Sequence, residues 1–244
     1  MTILNMLEDA ANDIGLPVLT SIADNDKTVK QLLRMANKEG KALLQRNDWQ
    51  NSREIIIHTA VSATSQGNIL AICSVTAASV TGTSTYFGHL INDTIWDQTQ
   101  QRPVFGPLGP QHWQGLVASS TTGPFSEYRI HRNTLLSIPV PAAGNIWQFE
   151  VKTPFFCENS TGQGQDRWRI DSDVGRFDEE IMTLGIVWRY KKAKGMDYAE
   201  DFNEYERRVL DEMCRDGSKQ TLDVGGDYDY KPFINIPDGS WSLT

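Results

Sequence analysis

Apolar residues recur at helical spacing from the third position onward. Ile3, Leu7, Ala10, Ala11 and Ile14 share a face, Thr2 stands where an N-cap belongs, and Gly15 followed by Pro17 supplies stop signals. The pattern predicts a helix over residues 3–14. A second helical pattern starts at Asp26, with Val29, Leu32, Leu33, Ala36, Gly40, Leu43 and Leu44 on one stripe and Trp49 near its end, and predicts a helix to about residue 48. At the helical angle per residue, Lys27, Lys30, Arg34, Lys38 and Lys41 fall in a narrow sector nearly opposite that stripe. The second helix therefore has an apolar side and a basic side.

Period-two alternation and β-branched residues then take over. REIIIHTAV over 53–61 and ILAICSVTAASVT over 69–81 read as strands. Pro103, Pro107 and Pro110 break the next segment, and Pro110 suits the first position of a short helix burying Trp113, Leu116 and Val117. EYRIHR, TLLSIPV and IWQFEVK predict an antiparallel meander, with Pro141 and Gly144 in its last turn. ENSTGQGQ over 158–165 is polar and reads as an exposed loop, and residues 167–170 as one more strand.

Asp171 or Asp173 closes the β region. Asp178, Glu179 and Glu180 then suit the positive end of a third long helix, Arg189, Lys191, Lys192 and Lys194 suit its negative end, and Gly195 stops it. A fourth helix over about 198–215 keeps Tyr198, Phe202, Tyr205, Val209, Leu210 and Met213 on one face, so the last two helices predict a hairpin. Residues 218–244 carry Gly225-Gly226, Pro232, Pro237 and Gly239, which suit neither a helix nor a long strand. Yet Tyr228, Tyr230, Phe233, Ile234, Ile236 and Trp241 crowd into this tail, an apolar load that predicts docking.

The length of 244 residues allows one large domain or two modest ones, and 39% hydrophobic with 22% charged residues is ordinary globular usage. The 23 Lys+Arg against 31 Asp+Glu give a formal net charge of -8, which argues against coating nucleic acid by bulk charge but permits a local basic face. Cys73, Cys157 and Cys214 share no metal-ligand spacing, so a reduced, intracellular assembly is expected. The start, MTILNMLEDAANDIG, lacks the basic and then apolar layout of a secretory signal, and no window approaches a membrane span.

Candidate chemistry is sparse. The phosphate-wrapping GxxxxGK, the dinucleotide GxGxxG, the nucleophile elbow GxSxG and the zinc-binding HExxH do not occur, and His58, His89, His112 and His131 stand alone. Neither a cofactor nor a metal is expected. Asp178, Glu179 and Glu180 are explained by helix-start electrostatics. The basic stripe reads either as a solvated helix surface or as a wall facing DNA or an acidic partner. The tail reads as a strap on its own domain or as an arm on a neighbour. Its prolines, which keep it extended, favour the arm.

Several segments together resemble the head-to-tail adaptor, or connector, proteins of short-tailed bacteriophages, similar to the tail tubular protein A group. They are the opening helix ending in GLP, TVKQLLRMANKEGKALLQRNDW, INDTIWDQTQQRPVFGPLGPQHWQGL, the RIHRNTLLSIPVPAAG hairpin and FDEEIMTLGIVWRYKKAKGMDYAEDFNEYER. The likeness extends over most of residues 1–217. The stretch SVTAASVTGTSTYFG departs from it by its Ser and Thr content, and residues 218–244 inherit no role from it.

The resemblance implies an α+β fold in which terminal helices (1–51 with 173–217) pack as a bundle around an inserted antiparallel β-rich domain with one short helix (52–172), and composition alone adds an extended C-terminal arm (218–244). It implies a virion protein of the tail and neck, assembled in the host cytoplasm, whose ring of about a dozen copies joins the portal protein to the tail nozzle and continues the DNA ejection channel. No reaction is implied. On that reading Lys30, Arg34, Lys38 and Lys41 face the channel or an acidic partner and touch passing DNA without reading sequence. From the tail's composition alone, and not from the resemblance, Tyr228, Tyr230, Phe233, Ile234, Ile236 and Trp241 are expected to grip the portal or a neighbouring protomer. The rivals are a tail-associated cell-wall hydrolase, which needs two suitably placed carboxylates, and a glycan-binding module presenting Trp96, Trp113 or Trp147.

Overall fold

The computed structural model describes residues 1–73, 88–119, 123 and 125–217. The tail residues Tyr228, Tyr230, Phe233, Ile234, Ile236 and Trp241, and the predicted strand beyond residue 73, lie outside the described residues. The fold is α+β, with helices and a curled mixed sheet.

Helix α1 spans Ile3–Ile14 and α2 spans Lys27–Arg46, followed by a single 3-10 turn at Gln50–Ser52. Strands β1 (Arg53–Thr59) and β2 (Ser65–Asn68) precede a four-residue helix α3 (Ile69–Ile72). Then come β3 (His89–Leu90), β4 (Trp96–Asp97), β5 (Arg102–Phe105) and helix α4 (Pro110–Ser119). Strands β6 (Ser126–His131), β7 (Thr134–Ile138), β8 (Ile146–Lys152), β9 (Cys157–Glu158), β10 (Gly164–Gln165) and β11 (Val174–Gly175) follow. Helices α5 (Glu179–Lys194) and α6 (Ala199–Asp216) complete the described chain.

The long helices start and stop for local reasons. Asp26 accepts a hydrogen bond from the Thr28 amide at 3.2 Å, and Asp178 from the Ile181 amide at 3.1 Å, each side chain satisfying a first-turn donor. Gly15 and Gly195 take left-handed backbone at φ 77° and 72°, where a Cβ would be strained. Thr2 occupies the N-cap of α1, but its side chain makes no capping bond. The buried residues of α5, among them Ile181, Met182, Ile186, Val187, Trp188 and Tyr190, lie on every side of it. It is therefore the central helix, with α1, α2 and α6 packed around it.

One apolar core joins these helices to Phe156, Cys157 and Trp168 of the β9–β11 region, and a second lies inside the larger sheet. That sheet runs β1-β8-β4-β5-β6-β7-β2, with β3 also on β8 and β5–β6 as its parallel pair. Its inner face carries Ile95, Val104, Tyr128, Leu135, Trp147 and Phe149. Buried Asp97 sits among them, accepting from Asn145 Nδ2 at 2.7 Å, Trp147 Nε1 at 3.1 Å and the Gln100 amide at 2.9 Å. The two cores are tied where β1 leaves the helices: Ser52 O accepts from the Thr153 amide and hydroxyl, both at 2.9 Å.

Several sequence expectations are corrected. Residues 69–72 form a helix turn, because Asn68 Oδ1 caps the Leu70 amide at 2.9 Å. The meander ends at the β6–β7 hairpin, since β8 pairs with β1, β3 and β4. The expected loop at 158–165 instead ends in β10, which pairs with β9 around a turn organised by Asn159 Oδ1, while residues 167–170 hold no strand. There Asp173 accepts from the Arg169 and Ile170 amides at 2.6 and 3.0 Å, bending the chain before β11. Helix α4 buries Trp113 but leaves Val117 exposed, and α6 leaves Leu210 exposed.

Candidate interaction surface

Helix α2 has two opposed polar features. On its packed side Glu39 is fully buried. Its carboxylate accepts hydrogen bonds from Arg189 Nε on α5 and from the Tyr205 hydroxyl on α6. The Arg189 guanidinium also stacks 4.5 Å from the Trp188 ring centroid, and that of Arg46 lies 5.3 Å from the Tyr205 centroid while pairing with Glu206. Burial, reinforced by the Glu39 carboxylate, pushes the Tyr205 phenol far above its ordinary value, so it stays a donor. Gly185 makes the approach possible: a Cβ there would overlap the Glu39 carboxyl group. These residues lock three helices together.

The opposite face carries Lys27, Lys30, Arg34, Lys38 and Lys41, all exposed. Among the described residues none of them lies within ion-pair distance of a carboxylate, and Lys30 Nζ donates to Asn25 Oδ1 at 2.7 Å. Several cations elsewhere are paired: Lys152 with Asp48 at 2.9 Å, Arg176 with Glu54 and Glu158 at 3.6 Å each, and Lys191 with Asp201 at 2.7 Å. The structure thus gathers Lys30, Arg34, Lys38 and Lys41 into one exposed row that none of the described carboxylates pairs with.

The remaining candidates separate. Asp178 caps α5, and Glu180 pairs with Arg208. Asp178 also lines a small cavity of about 30 Å³ with Arg176, Glu212 and Asp216, room for roughly one water. Burial raises the Asp48 carboxyl, but Lys152 and His89 outweigh it and hold the group below its ordinary range. Glu206 is likewise held down by its bond from Arg46. Cys73 and Cys157 are buried thiols whose pKa is raised by desolvation, Cys73 to about 12, while Cys214 is exposed. Among the described residues there is no group of three His, Cys, Asp or Glu suited to a metal, and no helix long and apolar enough to cross a membrane.

Of the three tryptophans considered for glycans, Trp113 and Trp147 are core residues, and Trp96 is about one-third exposed. Trp96 borders an open groove of about 220 Å³ with Ile55, Thr94, Gln98, Gln148 and Glu150. Some polar groups of that groove are paired: Gln98 donates to Gln148, Thr94 Oγ1 accepts from the Glu150 amide at 3.2 Å, and the Glu150 carboxylate meets Arg53 outside the groove at 3.5 Å.

Sequence reading missed Glu39, although the signal was there. Helical angles set it beside Leu32 and Leu43, a lone acid on an apolar stripe. No protein-family model matches the chain, and no curated protein is similar to it in sequence.

Proposed function

We propose that the protein is a structural virion component, a head-to-tail adaptor whose copies form a closed ring between the portal protein and the tail nozzle. The observation that carries the reading is the exposed row Lys30, Arg34, Lys38 and Lys41 on α2, with no carboxylate of the described chain answering it. A row so placed acts by charge on something outside the chain: the phosphates of passing DNA or an acidic portal surface. DNA that must slide is served by non-specific phosphate attraction, which gives no sequence register.

The helical layer, locked by Glu39, presents that row on a rigid support. The finer arrangement, terminal helices as a bundle with an inserted β-rich domain and a C-terminal arm, belongs to the same proposal, as do a ring of about a dozen copies and assembly in the host cytoplasm. The arm residues Tyr228, Tyr230 and Trp241 supply static grip on the portal or an adjacent protomer through aromatic anchors. The role is mechanical rather than catalytic.

The test is co-sedimentation of the full chain with purified portal rings, comparing wild type with Arg34→Glu/Lys38→Glu. Wild type is expected to travel with the portal, and the variant to lose most of that association. Failure of the wild type to associate overturns the proposal. A turbidity assay on bacterial cell walls and binding to an array of surface glycans address the hydrolase and glycan-module readings, and activity in either would replace it.

A further inference from the structure

Strand β1 ends the larger sheet among the described residues, and the ladder fixes which of its peptide groups face outward. The Ile91 amide donates to Glu150 O at 3.0 Å and the Gln98 amide to Ile146 O at 2.8 Å, so those β8 peptide groups point away from β1. Their partners across the ladder are Ile55 and Thr59. Opposed residues of an antiparallel pair share this orientation, so the peptide groups of Ile55, Ile57 and Thr59 face the open edge. The side chains of Ile55 and Ile57 are 60% and 68% exposed on the sheet's outer face. A seven-residue edge with two bare isoleucines and no Pro, Lys or bulge is what natural sheets guard against.

We propose that residues 233–236 of the chain's own C-terminal segment pair with this edge as a short added strand, so that each chain caps its own sheet. The described chain ends beside the site. Asp216 accepts from the Gln50 amide at 3.0 Å, and its carbonyl accepts from the Gln50 side chain, just before β1 begins at Arg53. Residues 218–232, fifteen in all, separate Gly217 from Phe233, a reach on the order of 50 Å, whereas β1 is only about 23 Å long at the usual rise per residue.

The sequence Pro232-Phe-Ile-Asn-Ile-Pro237 fits the edge in kind and length. Ile234 and Ile236 share a face at period two, matching Ile55 and Ile57 across the new pairing, and the prolines, lacking N–H groups, stop it at either end. A tether of this length gives an effective concentration on the order of millimolar, so at micromolar protein the chain's own segment outcompetes a second copy. The pairing uses none of Tyr228, Tyr230 and Trp241, and it does not depend on the adaptor reading.

Amide hydrogen exchange resolved by NMR on the full-length chain tests this, comparing wild type with Ile234→Pro, which removes an N–H that the pairing uses, and with Ile234→Lys/Ile236→Lys. In wild type the amides of residues 55, 57 and 59 and, in an antiparallel pairing that sets Ile234 and Ile236 opposite Ile57 and Ile55, those of 234 and 236 are expected to be protected. Both variants should speed exchange at 55, 57 and 59 by about tenfold or more while sparing 54, 56 and 58, which bond to β8. Wild-type edge amides that exchange freely, or protection unchanged in both variants, overturn the proposal. Protection that rises between about 1 and 100 µM protein marks a second copy as the occupant and overturns it equally.

Discussion

On the inner side of α2 a single acid, Glu39, is met by a guanidinium and a phenol from two other helices, while on the outer side four cations meet none of the described carboxylates. The difference is one of cost. A buried carboxylate is tolerated only when its lone pairs are satisfied, so its partners are fixed by the fold and its removal is felt by the fold. An exposed ammonium or guanidinium remains hydrated and contributes little to stability, so a row of them is available for contacts beyond the chain. Charge inside α2 holds the protein together. Charge outside it contributes little to that stability.

The strongest way to break this contrast is Glu39→Ala, which strands Arg189 and Tyr205 around a void. It should cost about 3–5 kcal/mol in urea unfolding, and a loss below about 1 kcal/mol would deny that the cluster is a lock. Gly185→Ala leaves every charge in place and drives a methyl group into the Glu39 carboxyl. A loss of about 1–3 kcal/mol is expected, read as a lower thermal midpoint.

Acidification sharpens the same comparison. Asp48 and Glu206 have folded pKa values held below their ordinary 3.8 and 4.5 by Lys152 and His89 and by Arg46, respectively. Their stabilisation is therefore present above those values and lost as pH falls through the lower folded ones. His58, whose pKa burial lowers from 6.5, adds an earlier loss beginning below that value, because the unfolded chain takes up the proton first. Thermal stability should decline from about pH 6.5 downward and more steeply below about 4.5, and Arg46→Gln should flatten the lower part. The smallest effect is expected outside: Arg34→Ala and Lys38→Ala should each change stability by less than about 0.5 kcal/mol, checked by the same urea titrations, while weakening portal association.

The helices were legible because their signals are local. The α1 boundaries follow from its period and from Gly15, and those of α5 from Asp178 and Gly195. What the sequence concealed depends on distant partners. Arg189 reads as a cation at the negative end of α5, yet it turns inward because Glu39 waits on a helix some 150 positions away. Tyr205 reads as one more apolar-face residue until its hydroxyl is seen donating to that same acid. The β8 sequence alternates plainly, but nothing in it says that β1 rather than β7 is its neighbour. The two-residue strands β9, β10 and β11 are too short for any alternation to show. The basic row, by contrast, was visible from helical angles alone.

We propose that this row belongs to a closed ring seated on a portal. Electron microscopy of the full-length chain mixed with purified portal, at physiological ionic strength, tests it most directly. An annulus with an axial opening is expected, stacked on the portal face, with α2 lining that opening or lying against the portal. Single subunits that remain unattached, or a ring whose α2 faces solvent away from both, would contradict it.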